Sequence, residues 1–203
     1  MVIIGLTGPS GSGKTTLCDI ARDLGIKSID ADKVYHALLI PPSPCLDEIA
    51  DSFGNGILSD DGALDRAALG SIVFGDDSGE KLSLLNSITH KYVKARFGEI
   101  IKTLEANGER AVIVDAPTLF ESGFNEECAF TVALLADGEL RRERIISRDA
   151  LTDERADQRL SAQKSDEFFT SRADYTLYND GDRQTLKKAF EDVLRERRLL
   201  DEN

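Results

Sequence analysis

Eight residues near the start of the chain carry the clearest chemistry: Gly8-Pro9-Ser10-Gly11-Ser12-Gly13-Lys14-Thr15. The pattern is G-x-x-x-x-G-K-[ST], and it predicts a loop that cradles phosphate. Glycines let the chain curl so that successive backbone N–H groups point at one anion. A helix that starts directly after such a loop adds its positive N-terminal end. In this arrangement Lys14 supplies a charge to the β- and γ-phosphate oxygens, and Thr15 offers its hydroxyl to Mg²⁺. Gly11, Ser12, Gly13, Lys14, Thr15 and Thr16 are therefore the expected contacts to a nucleoside triphosphate such as ATP.

Three further features bear on what the triphosphate is used for. The first is Ile29-Asp30-Ala31-Asp32, with Asp32 eighteen residues after Lys14. A carboxylate at a strand end, on the ligand side of a sheet, can accept the proton of an attacking hydroxyl. Asp is equally suited to cap a helix that starts near Lys33, so both readings of Asp30 and Asp32 stand. The second is Asp115, after the apolar run Ala111–Val114. It resembles an acidic strand-end residue that holds Mg²⁺, and it is also an ordinary turn former close to Pro117. The third is the arginine-bearing stretch from Glu139 to Gln163, with Arg144, Arg148, Arg155 and Arg159. Such a stretch can close over a triphosphate and neutralise transition-state charge, or it can be a solvated, salt-bridged surface. Arg148, beside Asp149 at the apparent hairpin of the stretch, is the best single candidate among them.

These residues need elements to hold them. Val2–Leu6 reads as a buried strand. After the loop, Leu17, Ile20, Ala21 and Leu24 share one helix face, and Gly25 stands where a helix should stop. Ile26–Ile29 reads as a second strand, which completes a βαβ unit. From Lys33 to Gly108 the pattern is helical. Pro41, Pro42 and Pro44 interrupt it, short helices are expected around Leu46–Phe53 and Leu64–Phe74, and a long helical pattern with room for a break runs from Leu82 to Leu104. Strand patterns return at Ala111–Val114, Phe130–Leu135 and Tyr175–Tyr178, with polar helices at Glu139–Arg148 and Asp153–Gln163 and a closing helix through Leu186, Phe190 and Leu194. Asn179-Asp180-Gly181 is a turn signal. The expected fold is α/β: a three-layer P-loop NTPase, nucleoside-kinase-like, with a parallel sheet of about five strands. Its core is expected in residues 1–32, 109–138 and 165–203, with an inserted helical lobe at 33–108 and an arginine-rich lid at 139–164.

Composition narrows the partners. The chain has 203 residues and a formal charge of −12, which repels nucleic-acid backbone and anionic lipid. Tryptophan is absent and aromatics make up 6% of the chain, which leaves little to stack on single strands. No apolar run approaches the roughly 20 residues of a membrane helix. The chain opens on a strand-like run with no basic segment before it, which argues against a secretory signal. Cys18, Cys45 and Cys128 are far apart, odd in number and form no C-x-x-C pair, which suits a reducing cytoplasm. His36 and His90 stand in no metal-ligand or triad spacing, and no N-K-x-D guanine-reading motif occurs.

The chain resembles the dephospho-coenzyme A kinase family along nearly its whole length. IGLTGPSGSGKTT is similar to that family's phosphate loop, and DLGIKSIDAD to its helix end, second strand and paired aspartates. GALDRAALGSIVF, SITHKYV, DAPTLFESG, RDALTDERADQRLSAQ and ADYTLYNDG resemble further family segments. The resemblance implies transfer of the ATP γ-phosphoryl group to the 3′-hydroxyl of the dephospho-CoA ribose. It makes Asp32 the base, Lys14 and Thr15 the phosphate and Mg²⁺ contacts, and Arg148 a lid contact. Arg66 and His90 fall on family-typical positions and are expected to touch the dephospho-CoA side. A monomer or small homo-oligomer is expected. The sequence departs from the family at Pro9-Ser10, where a glycine and an apolar residue are usual. Thr118 replaces a leucine. Lys91 stands where proline is usual, so that helix is expected to start differently. Two other readings are another small-metabolite or nucleoside kinase, and a nucleotide-binding regulator without catalysis.

Overall fold

The structure, a computed structural model, describes residues 1–74 and 78–201. Residues 75–77 of the expected lobe and 202–203 of the expected core lie outside the described residues. The chain divides into two compact units, Met1–Ile29 with Leu104–Asn203, and Asp30–Thr103.

The first unit is built on strands β1 (Val2–Thr7), β2 (Lys27–Asp30), β3 (Ala111–Asp115), β4 (Phe130–Leu135) and β5 (Tyr175–Tyr178), in the spatial order β2-β3-β1-β4-β5. The pairs β1–β3, β1–β4 and β4–β5 are parallel. Parallel strands covered on both faces read as continuous apolar runs, and β4, FTVALL, is buried at every position. Alternate β4 residues serve opposite faces. Val132 and Leu134 pack with Leu17 and Ile20 of α1 (Lys14–Asp23) and with Phe190 and Leu194 of the closing helix α9 (Arg183–Glu196). Ala133 and Leu135 pack instead with Phe169, which belongs to the short helix α8 (Asp166–Thr170). Helix, sheet and helix make the three expected layers. The second strand begins one residue later than its apolar pattern suggested and runs on through Asp30. Ile26 is used in the turn instead: it is buried, and its N–H donates to the Ala21 carbonyl at 2.8 Å.

Two helices carry the arginine-rich stretch, α6 (Gly138–Asp149) and α7 (Asp153–Ser161), each started by a side-chain cap, from Asp137 and Thr152. Arg142 joins them, 2.6 Å from Asp157 and 2.9 Å from Asp153.

The second unit holds α2 (Ala31–Ala37), α3 (Pro44–Phe53), α4 (Arg66–Val73) and most of α5 (Ser78–Ala106) around Ile49, Ile57, Leu69, Val73, Leu85 and Ile88. Helix α5 is unbroken, and it does not begin near His90. It passes straight through Lys91, which reaches across to α3 and pairs with Glu48 at 2.5 Å. The Tyr92 hydroxyl donates to the same carboxylate at 2.7 Å. Proline at this position would remove a helical N–H and clash with the preceding turn; lysine allows the helix to continue and ties it to its neighbour.

Candidate active site

The phosphate-loop motif lies between β1 and α1. Gly13 takes φ 95°, a left-handed conformation that costs a side-chain-bearing residue about 1–2 kcal/mol. Gly8 is required for space, because a Cβ there would stand 2.1 Å from the Leu134 carbonyl oxygen of β4. Helices α2, α3, α4, α6, α7, α8 and α9 each begin with a side-chain cap. Helix α1 has none, and its first turn carries no acidic residue. Its amides and dipole are thus left for an anion. Lys14 Nζ donates to the Gly8 carbonyl at 2.8 Å, folded back over the loop. The Ser12 hydroxyl is buried and makes no hydrogen bond among the described residues. Thr15 is exposed in the first turn. A cavity of about 490 Å³ opens at the loop, bordered by Gly11, Gly13, Thr15, Thr16, Arg144 and Arg148.

The loop is braced from behind by Arg144, a candidate of the arginine-rich stretch, and by Asn179, Arg141 and Gln163, to which the sequence pattern gave no site role. Asn179, buried just beyond β5, donates from Nδ2 to the Ser12 carbonyl at 2.8 Å. Arg144 donates to the carbonyls of Gly11, at 3.2 Å, and Asn179, at 2.9 Å. Arg141, only 8% exposed, donates from Nε to the Ser10 carbonyl at 3.2 Å. Its burial lowers its pKa, an effect opposed by Asp166 at 3.3 Å. The Ser10 N–H donates to Gln163 Oε1 at 2.6 Å. The arginines of the stretch therefore split into two kinds. Arg141 and Arg144 hold loop carbonyls. Arg148 lies at the cavity edge, with both ends of its guanidinium on Asp149 at 2.8 Å and NH2 also 3.3 Å from Ser10 Oγ. Arg159 joins Asp149 at 2.6 Å, whereas Arg155 is an exposed side chain. The Arg148 hydrogen bond, and the charges of Arg148 and Arg159, hold the Asp149 carboxyl down at about 2.

Asp115 ends β3 opposite Leu6 of β1, so it stands beside the strand that feeds the loop. Its charge also acts on the Cys18 thiol, which burial above all pushes up to about 12, with a hydrogen bond to Ser28 and the Lys14 charge acting the other way. This thiol is inert near neutral pH.

Within the second unit, the two aspartates separate. Asp30 caps α2, its Oδ1 accepting the Lys33 N–H at 3.0 Å, and its other oxygen is 3.3 Å from Lys33 Nζ. Asp32 lies in the first turn of α2, exposed, with no hydrogen bond or ion pair among the described residues. Arg66 opens α4, and its NH2 is 2.9 Å from His36 Nδ1. A guanidinium only donates, so in this contact His36 Nδ1 is the acceptor. His90 is exposed on α5 and makes no such contact with Arg66.

The family model for dephospho-CoA kinase matches residues 2–185. The dephospho-CoA kinase of Symbiobacterium thermophilum is 38% identical over 181 residues, covering 89% of this chain and 75% of its own. Among solved structures, TT1252 from Thermus thermophilus superposes with a TM-score of 0.80 at 31% identity, over 96% of this chain and 97% of that one. The dephospho-CoA kinase from Campylobacter jejuni gives 0.68 at 30% identity, over 96% and 98%.

Proposed function

Because the chain belongs to the dephospho-CoA kinase family, we propose that it transfers the ATP γ-phosphoryl group to the 3′-hydroxyl of the dephospho-CoA ribose, with Asp32 receiving the hydroxyl proton. It is an ATP-dependent phosphotransferase, and the product pair is CoA and ADP. The observation that carries the base assignment is the division of labour between two neighbouring carboxylates. Asp30 is committed to the cap of α2, whereas Asp32 has no bond of its own among the described residues. A proton acceptor must keep a lone pair available to the acceptor alcohol, and Asp32 does.

The phosphate side follows from the loop. The uncapped N-terminus of α1 and the loop amides bind the β- and γ-phosphates, and Lys14 exchanges the Gly8 carbonyl for a phosphate oxygen. Arg148 faces charge that builds on the transferred group. The residues present suit Mg²⁺. That ion keeps several waters and prefers one or two protein oxygens with substrate phosphates, and the exposed Thr15 hydroxyl supplies such an oxygen. Among the described residues no group of three His, Cys, Asp or Glu could cage a metal without the substrate. Mg²⁺, when bound, neutralises charge on the β- and γ-oxygens. Arg66 and His90 are assigned to dephospho-CoA. The helices of residues 139–164 exclude water around the γ-phosphate, so hydrolysis of ATP without an acceptor should be slow.

We also propose a reducing cytoplasm for the protein, in keeping with its three free, widely separated cysteines. Among the described residues no helix is long and apolar enough to cross a membrane. A monomer or small homo-oligomer suffices for the proposed reaction.

The test is an acceptor panel. ADP release is followed with dephospho-CoA, nucleosides and small alcohols, and the products are weighed by mass spectrometry. Fast turnover with dephospho-CoA alone, giving a product one phosphoryl group heavier, supports the assignment. Faster turnover with another acceptor, or none with any, overturns it.

A further inference from the structure

We propose that Ser10 is a positioning residue for the transfer, its hydroxyl setting the Arg148 guanidinium in the frame of the phosphate loop. The inference rests on the role given to Arg148 above.

All three polar groups of Ser10 are engaged, and every partner comes from residues 139–164. The N–H donates to Gln163 Oε1 at 2.6 Å. The carbonyl accepts from Arg141 Nε at 3.2 Å. The hydroxyl accepts from Arg148 NH2 at 3.3 Å. The first two contacts clamp the main chain of Ser10 from both sides, and their partners are themselves fixed. Gln163 Nε2 donates to the Arg159 carbonyl at 3.0 Å, and Gln163 Oε1 takes a second donor, Arg141 NH2, at 3.3 Å. Arg141 is buried and also pairs with Asp166. A clamped main chain leaves the Ser10 hydroxyl little to do but rotate about χ1, so it is a defined acceptor.

Arg148 needs such an acceptor. Its other hold is the carboxylate of Asp149, the next residue of α6, at 2.8 Å to each side of the guanidinium. That bond travels with the helix: it sets the guanidinium relative to α6 and says nothing of the loop. Ser10 belongs to the loop. Among the described residues, the hydroxyl bond is what relates the Arg148 charge directly to the segment whose amides hold the phosphates. Placement matters because an error of about 1 Å in a positioned group can cost 10²-fold in rate. Alanine or valine at this position would keep the backbone clamp and lose the bond.

The experiment compares steady-state kinetics of Ser10→Ala, Ser10→Val and Ser10→Thr, with melting temperatures as a fold check. Threonine and valine share a shape and differ in the hydroxyl, so their comparison survives a general packing effect. S10A and S10V are expected to lower kcat about tenfold, the size of one hydrogen bond to a charged group, with KM for ATP and dephospho-CoA unchanged. S10T should restore the rate. In an Arg148→Ala background, S10A should have no further effect. Wild-type kcat in S10A with a slow R148A overturns the inference alone. A tenfold loss that persists in the R148A background, or equal rates for the threonine and valine variants, also overturns it. A full-rate R148A removes the assignment of Arg148 and this inference together.

Discussion

The carboxamide of Asn179 fills the space that a Cβ on residue 13 would need. Its Nδ2 lies 2.1 Å from that point and donates to the Ser12 carbonyl at 2.8 Å. The loop is thus shaped from both sides: Gly13 supplies the left-handed turn, and a residue from beyond β5 holds the turn from beneath. Glycine is needed here for conformation and for closeness together.

Gly13→Ala should therefore lose ATP affinity and melting temperature through two costs, backbone strain and the clash with Asn179. Asn179→Ala alone leaves the Ser12 carbonyl without this donor, at about 1–3 kcal/mol. The double variant relieves the clash but keeps the strain. Its loss of stability should be smaller than the sum of the two single losses, as expected for residues in contact. Chemical denaturation of the four proteins measures this, and strict additivity would contradict the packing described.

Arg148→Ala should lower kcat by about 10²–10³, the range for removing one preorganised charge-stabilising donor. KM for ATP should change little, because the loop amides and Lys14 provide ground-state binding. Arg144→Ala should behave the opposite way, raising KM for ATP first, since Arg144 holds the Gly11 and Asn179 carbonyls. Coupled ADP assays over a range of ATP concentrations separate the two; the same pattern in both variants would contradict the division of the arginines.

Asp149 gives a pH prediction. Its carboxyl is held at about 2, below its ordinary value of 3.8, chiefly by the hydrogen bond from Arg148. A depressed folded value means that the stabilisation is complete above the ordinary value and is lost as pH falls toward about 2. Asp149→Asn lacks this contribution. The melting temperatures of variant and wild type should differ most above pH 4 and converge toward pH 2. A constant difference across that range would contradict the pairing.

Much of this was legible from sequence because it is local. The phosphate loop is one uninterrupted run, and strand, loop and helix around it agree in pattern. β4 could be read from FTVALL alone. Residue type and position alone left Asp30 and Asp32 open, since both suit either role; the family resemblance pointed to Asp32 as the base, and the bond to Lys33 shows that Asp30 caps α2. The bracing of the loop was hidden for another reason. Asn179, Gln163 and Arg141 approach Ser10 and Ser12 from more than a hundred residues away in the chain. Asn179 had shown only as part of a turn signal and Gln163 as a helix end. Arg141, one of four closely spaced arginines, carried no mark of its burial. His36, paired with Arg66, was likewise unremarkable in spacing.

The most direct measurement is the Asp32→Asn variant, followed by nucleotide binding and by transfer to dephospho-CoA under one set of conditions. A missing general base costs about 10²–10⁴ in rate, so turnover should collapse by that factor while ATP binds as tightly as before. Wild-type turnover in the variant would show that the proton leaves by another route, and the chemistry assigned to Asp32 would be wrong.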